Sequence, residues 1–233
     1  MQLTAPRLTG ILQRRYKRFL ADVILEDKTM LTVHCPNSGS MRGCSTPGSP
    51  VVVSRSDNPR RKYAWTLEMV RENGTWIGVN TSLTNRLVRE ALENGVIDDF
   101  APVETIRPEV KVENSRLDFL LQGGGRTTYV EVKNCSLAEG GVAMFPDAVT
   151  RRGTRHLLEL ARLHRQGFGA GLIFCVQRGD AAAFRPAAHI DPLYAETLAK
   201  VCEQGVRVVA YRAAVSPQRI EIVEKLPITA GCG

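Results

Sequence analysis

Ser115-Arg116-Leu117-Asp118-Phe119, followed across Gly123-Gly124-Gly125 by Tyr129-Val130-Glu131-Val132-Lys133-Asn134, is the stretch that decides the reading of this 233-residue chain. The glycine turn lies between two strand-like segments, so the pair reads as a β-hairpin. On a strand, Glu131 and Lys133 share a face about 6.6 Å apart, while Val130 and Val132 face the other way into a core. Asp118 stands inside the apolar run Leu117 to Leu121, and the hairpin brings it beside Glu131 and Lys133. Two carboxylates at one point repel unless a proton or a cation intervenes. A hard divalent ion such as Mg²⁺ or Mn²⁺ suits carboxylate oxygens. Lys133 is then placed to orient an attacking water or to stabilise charge building on a phosphate oxygen. Asp118, Glu131 and Lys133 are therefore the expected catalytic set, with Asp118 and Glu131 as metal ligands.

Outward from the hairpin, residues 81–233 alternate between helix and strand signals. Thr81 or Ser82 is placed to cap a helix carrying Leu83, Leu87, Val88 and Ala91, which stops at Asn94-Gly95. Strands are expected at 105–112, 115–121 and 128–135, then a helix over 150–166. The continuous apolar run Gly171 to Val176 reads as a buried strand, followed by a helix over 191–204 and a strand over 206–211. That order predicts an α/β sandwich. Residues 1–80 differ: five short strands, at 19–25, 31–33, 51–53, 65–70 and 76–79, suit a small OB-like β-barrel. Strand count alone does not separate this from an SH3-like barrel. The last two strands flank Asn73-Gly74, a strong hairpin signal.

Charge is also unevenly divided along the chain. The formal net charge is +7; residues 1–65 carry 11 Lys/Arg against 4 Asp/Glu, whereas residues 66–233 carry 20 of each sign. A basic first quarter of the chain favours a polyanion, because clustered cations release condensed counterions from phosphates; a merely solvated basic face is the alternative. Arg14, Arg15, Tyr16, Lys17 and Arg18 mix cations with an aromatic, as nucleic-acid surfaces do, and Arg60, Arg61 and Lys62 beside Tyr63 repeat the chemistry. Pro36-Asn37-Ser38-Gly39 reads as a turn, as backbone N–H groups approaching a phosphate, or as a loop closing over the neighbouring domain's site. The six cysteines form no C-x-x-C pair and read as free, mostly buried thiols, with Cys35 and Cys44 the one pair near enough to watch. No apolar run approaches the roughly 18 residues of a membrane span, and the N-terminus lacks a secretory h-region, so a cytoplasmic protein is expected.

The hairpin resembles the core of PD-(D/E)xK nucleases, Asp118 being the motif aspartate and Glu131-Val132-Lys133 the (D/E)xK half; Leu117 stands where the motif has proline. That resemblance implies a third metal ligand on the preceding helix, for which Glu90 is the candidate, and places Arg152 and His156 to grip the phosphate. The blocks Arg14 to Phe19, His34 to Met41, Ser56 to Tyr63, Val79 to Thr81, Phe145 to Thr150 and Arg152 to Leu157 are similar to the sugar fermentation stimulation protein A (SfsA) family. The resemblance implies an OB-like N-terminal domain (1–80), a PD-(D/E)xK nuclease-like C-terminal α/β domain (81–233), DNA binding, and a regulatory link to sugar (maltose) metabolism. Two functions are open: a Mg²⁺-dependent nuclease that binds DNA, or a non-catalytic DNA-binding regulator built on a nuclease scaffold. No feature reads a 2′-OH, so RNA stays open as the nucleic acid.

Overall fold

The protein, described from a computed structural model, has residues 1–3, 6–113 and 115–230 in defined positions. Its front half is a barrel of β1 (Arg7–Tyr16), β2 (Leu20–Leu25), β3 (Met30–His34), β4 (Pro50–Arg55) and β5 (Trp65–Glu72), with β6 (Thr75–Gly78) added beyond β5. The spatial order is β3-β2-β1-β4-β5-β6, and a β3–β5 pairing at His34 and Thr66 closes five strands on themselves. The run Val51-Val52-Val53 shows why β4 is apolar on both sides. Val51 and Val53 pack inward with Leu12, Val23 and Leu67, while Val52 joins Met69, Leu87 and Val88 in a core shared with the back half. Asn73 and Gly74 both take positive φ in the β5–β6 turn, as a tight hairpin requires.

A 3-10 turn, Thr81–Leu83, leads into α1 (Thr84–Glu93). Asn80, rather than Thr81 or Ser82, caps this turn: its side-chain oxygen accepts from Ser82 N at 3.1 Å, and its Nδ2 donates to the buried Glu68 at 2.9 Å. The chain continues through β7 (Thr105–Val112), β8 (Ser115–Gly123), β9 (Arg126–Cys135), β10 (Leu137–Glu139) and β11 (Val142–Phe145) to α2 (Arg151–Arg165). Then come β12 (Gly169–Val176), β13 (Ala183–Pro186), α3 (Pro192–Glu203), β14 (Arg207–Val215) and β15 (Ile220–Leu226). The main sheet has the order β15-β14-β12-β9-β8-β7. β7, β8 and β9 are antiparallel neighbours, whereas β12 runs parallel to both β9 and β14. Every residue of β12 is buried, as its unbroken apolar run requires. One face of the sheet packs on α1; the other packs on α2 and α3 through Leu157, Leu160, Tyr194 and Leu198. This is the expected sandwich, with a small β10-β11-β13 sheet beside it.

Four strands in the back half, and β1 in front, lie outside the expected set. The strand expected at 19–25 begins at Leu20, and the preceding basic run divides between the end of β1 and a turn. Cys35, Cys44, Cys135 and Cys175 are free and buried. Cys35 Sγ and Cys44 Sγ each meet Met41, the first at its sulfur and the second at its carbonyl. Burial pushes the Cys44 and Cys175 thiols up to about 12, which leaves little thiolate at neutral pH. Cys202 departs from the expectation by being disulfide-bonded; Cys232 lies outside the described residues. No helix among the described residues is long and apolar enough to cross a membrane.

Candidate functional site

The β8–β9 register, in which Phe119 faces Val130, carries Asp118 alongside Glu131. Asp118 uses both oxygens inside the fold: Oδ2 accepts from Val132 N at 2.8 Å and Oδ1 from Asn85 Nδ2 at 2.8 Å. Glu131 is only 3% exposed. Its Oε1 accepts from Lys133 Nζ at 2.5 Å and also meets His156 Nδ1. Its Oε2 is buried with no hydrogen-bond partner. Arg152 Nε donates to His156 Nε2 at 3.4 Å, so the hydrogen-bond pattern assigns the ring proton to Nδ1, which donates to Glu131. Two helices thus fasten the two acids, α1 holding Asp118 through Asn85 and α2 holding Glu131 through His156.

The electrostatics of the two acids diverge. Burial pushes the Asp118 carboxyl above its ordinary range, and the charge of Glu131 adds to that; the Val132 N–H and Asn85 oppose it without cancelling it. Burial also pushes Glu131 upward, but His156 and Lys133 together outweigh it and hold this carboxyl below its ordinary value. The result is an ionised, partly unpartnered carboxylate beside a second one that resists ionising. A cation relieves both. The available donors are carboxylate oxygens, which suit a hard ion rather than zinc or copper. Among the described residues no cluster of three or more His, Cys, Asp or Glu side chains forms a ready metal site. A cation held here would rest on Asp118 and Glu131 and complete its shell with other oxygens, which is how Mg²⁺ is commonly bound.

The acids line a cleft of about 710 Å³ between barrel and sandwich, with Arg18, Asn37, Ser38 and Gly39 on the barrel side and Thr150, Arg152 and Gly153 on the α2 side. Glu90 is not in it. Its carboxylate binds the Met1 amino group at 2.8 Å and lines a separate small depression with Leu87 and Ala91. Five residues beyond Asn85, Glu90 is rotated by about 140° around α1, so the helix offers Asn85 to the acids instead. His156 is likewise corrected. At 3% exposure it lies against Glu131 and presents no surface to a phosphate, while the exposed Arg152 remains in the cleft wall.

The basic residues of the front half separate by what they touch. Arg15 is a clamp: its guanidinium donates to the carbonyls of Arg18, Asn37, Gly39 and Ser40 at 2.7–3.2 Å. It does not face outward as expected. Arg14 pairs with Asp22 at 2.8 Å and lies over the Tyr16 ring, whose hydroxyl donates to the same Asp22. Lys17 and Arg18 occupy an exposed turn, and Arg18 donates to Ser38 O at 2.9 Å. Arg60 and Lys62 are exposed, Lys62 lying over Tyr63, and Arg61 meets His34 at 3.2 Å. Missing from the expected site were Asn85, Asn134 and Gln177. Gln177 donates to Asn134 Oδ1 at 2.5 Å and to Thr84 Oγ1 at 3.0 Å, bracing the end of β9 against α1. Asn134 directly follows the E-x-K run and so carried a local signal; Asn85 reaches Asp118, and Gln177 reaches Asn134, only through tertiary packing.

Residues 14–79 match the family described as SfsA N-terminal OB domain, and residues 82–219 match the one described as Sugar fermentation stimulation protein RE domain. The chain belongs to the SfsA family. Curated SfsA relatives cover nearly all of it. A sugar fermentation stimulation protein homolog from Geobacter sulfurreducens is 54% identical over 99% of this chain and 100% of its own length. One from Pelobacter propionicus is 55% identical over 96% and 97%. A solved SfsA structure, that of Pyrococcus furiosus in complex with Ca²⁺, superposes with a TM-score of 0.90 at 26% identity, covering 99% of this chain and 98% of that one. The closed front barrel is accordingly the OB domain of an SfsA protein.

Proposed function

We propose that this chain binds DNA in the cytoplasm through its basic OB domain and hydrolyses phosphodiester bonds, with Mg²⁺ or Mn²⁺, at Asp118, Glu131 and Lys133. The observation that carries the reading is the buried Glu131 Oε2, which has no hydrogen-bond partner, in a residue that lines the cleft together with Asp118. Leaving such an oxygen unsatisfied is costly, and a divalent cation removes the cost. The SfsA of Pyrococcus furiosus is in complex with Ca²⁺, which supports the same ion class. When bound, the cation supplies charge neutralisation and Lewis acidity toward a phosphate oxygen.

The chain's own residues do the rest. His156 and Asn85 fix the two carboxylates from opposite helices. The Lys133 ammonium, held on Glu131 Oε1, is set to orient the attacking water and to offset the charge developing on the phosphate. Arg18 and Arg152, on opposing walls of the cleft, position the strand by its phosphates. A regulatory link to sugar fermentation, in keeping with the family's description, fits a DNA-binding activity. Incubating metal-free protein with labelled DNA, with and without Mg²⁺ or Mn²⁺, tests the reading. Cleavage that needs the ion and disappears in Asp118→Ala and Lys133→Ala is expected. DNA binding without cleavage under any ion would instead support the non-catalytic regulator.

A further inference from the structure

The mouth of the cleft is bounded by a closed circuit of hydrogen bonds that spans both domains. On one side, the barrel loop 36–41 is tied to the entry of α1: Thr81 Oγ1 donates to Pro36 O at 2.5 Å and Asn37 Nδ2 to Val79 O at 3.2 Å. On the other side it is tied to the approach to α2: Ser40 Oγ donates to Asp147 O at 2.7 Å and Met41 N to Asp147 Oδ2 at 2.9 Å. Gly39 packs so closely on Asp147 that a Cβ there would lie 2.5 Å from its carboxylate. Arg15 grips three carbonyls of the loop from beneath. The circuit is completed within the sandwich, where α1 reaches Asp118 through Asn85 and α2 reaches Glu131 through His156. This loop is a fixed arch joining the two walls rather than a free flap.

Beneath the arch, Glu131 is 3% exposed and the cleft measures about 710 Å³. That volume is within the range of small-molecule pockets, about 300–1,000 Å³, and holds a nucleotide or two. A duplex is a rigid rod whose two backbones cannot be drawn separately under a tied loop. A single strand has one flexible backbone and can be. The β1–β2 turn, held to the arch by Arg18 on Ser38 O, carries the chemistry for one: Arg18 lines the cleft and lies against the ring of Phe19, which is 43% exposed. An aromatic next to a cation is a platform for an unpaired base. Arg152 faces a backbone from the opposite wall.

The geometry points to single-stranded DNA, and not duplex DNA, as the substrate class admitted to the Asp118–Glu131 site. This rests on the phosphodiesterase reading and adds strand selection to it. The test uses the full chain and a fluorescein-labelled 20-nucleotide strand, offered alone or as a blunt duplex. Affinity is followed by anisotropy in Ca²⁺, and the strand is checked on a gel afterwards for integrity. The single strand should bind roughly tenfold or more tightly, the scale of a stacked base gained. Ser38→Trp, which plugs the cleft from an exposed position, should erase that preference; Ser38→Ala should keep it. Equal or tighter binding of the duplex, or a preference that survives Ser38→Trp, would overturn the proposal. Parallel reactions with Mn²⁺ separate the two claims. Strand preference without cleavage removes the phosphodiesterase reading alone, whereas equal cleavage of duplex and single strand removes strand selection alone.

Discussion

At the scale of single residues, Asp118 and Glu131 share a strand pair yet titrate in opposite directions, and that split governs how the site responds to pH and to ions. Because the Asp118 pKa is raised in the folded chain, the unfolded chain loses this proton first as pH rises. The contribution of Asp118 to stability therefore falls from the ordinary aspartate range upward. Glu131 behaves oppositely: its lowered pKa contributes stability above the unfolded value, which is lost as pH falls through the folded one. A divalent cation competes with the Asp118 proton, so the rise in melting temperature on adding Ca²⁺ should grow with pH over that interval. A Ca²⁺ increment independent of pH would count against this. His156→Ala removes the group that holds Glu131 from α2. Loss of such a supporting partner weakens metal binding by about 10- to 100-fold, and calorimetry of Mn²⁺ binding would show it. Asp118, Glu131 and Lys133 were legible because a period-two strand and a glycine turn fix their relative places. The role of His156 was not: whether a helical histidine faces a solvent groove or a buried carboxylate depends on how α2 lies across the sheet.

At the scale of elements, the strands that escaped sequence reading share a cause. β1 buries only two of its ten residues and contains Gly10, so its alternation is weak and its basic end reads as surface. β10, β11 and β13 are three- or four-residue pieces, too short to show a period, and β15 is an edge strand that buries only three of its seven residues. Long, evenly buried β12 and amphipathic α1 and α2, by contrast, were plain. Gly10 is required where β1 crosses β2: a Cβ there would lie 2.5 Å from Val23 Cγ1 and 2.7 Å from Ile24 O. Gly10→Ala should destabilise the protein by about 1–3 kcal/mol, the usual cost of overpacking, measured by urea unfolding. Asn80→Ala combines the loss of a cap, about 1 kcal/mol, with removal of the donor to buried Glu68 Oε2. It should therefore lower the urea midpoint by more than a cap alone.

For the whole molecule, the basic OB domain and the charge-balanced sandwich meet along one cleft, and the division of charge at residue 65 foreshadowed that junction. The structure sorts the basic residues into those that build the loop and those that face the groove. Arg15→Glu should disturb the arch itself and reduce stability. Arg18→Glu and Arg152→Glu should leave folding intact, weaken DNA binding and flatten its salt dependence, each by about one phosphate contact; unchanged slopes would show that DNA lies elsewhere. The arch was one of three readings open for Pro36-Asn37-Ser38-Gly39, because contact with Asp147 spans more than 100 residues of sequence. Cleavage and the growth of the Ca²⁺ increment with pH both depend on Asp118 and Glu131 holding a divalent cation between them. Calorimetric titration of Mn²⁺ into the metal-free chain at neutral pH, alongside Asp118→Ala and Glu131→Ala, decides whether they do. A saturable site in the wild type that both variants lose is expected; no site in the wild type, or the same site in either variant, would refute it.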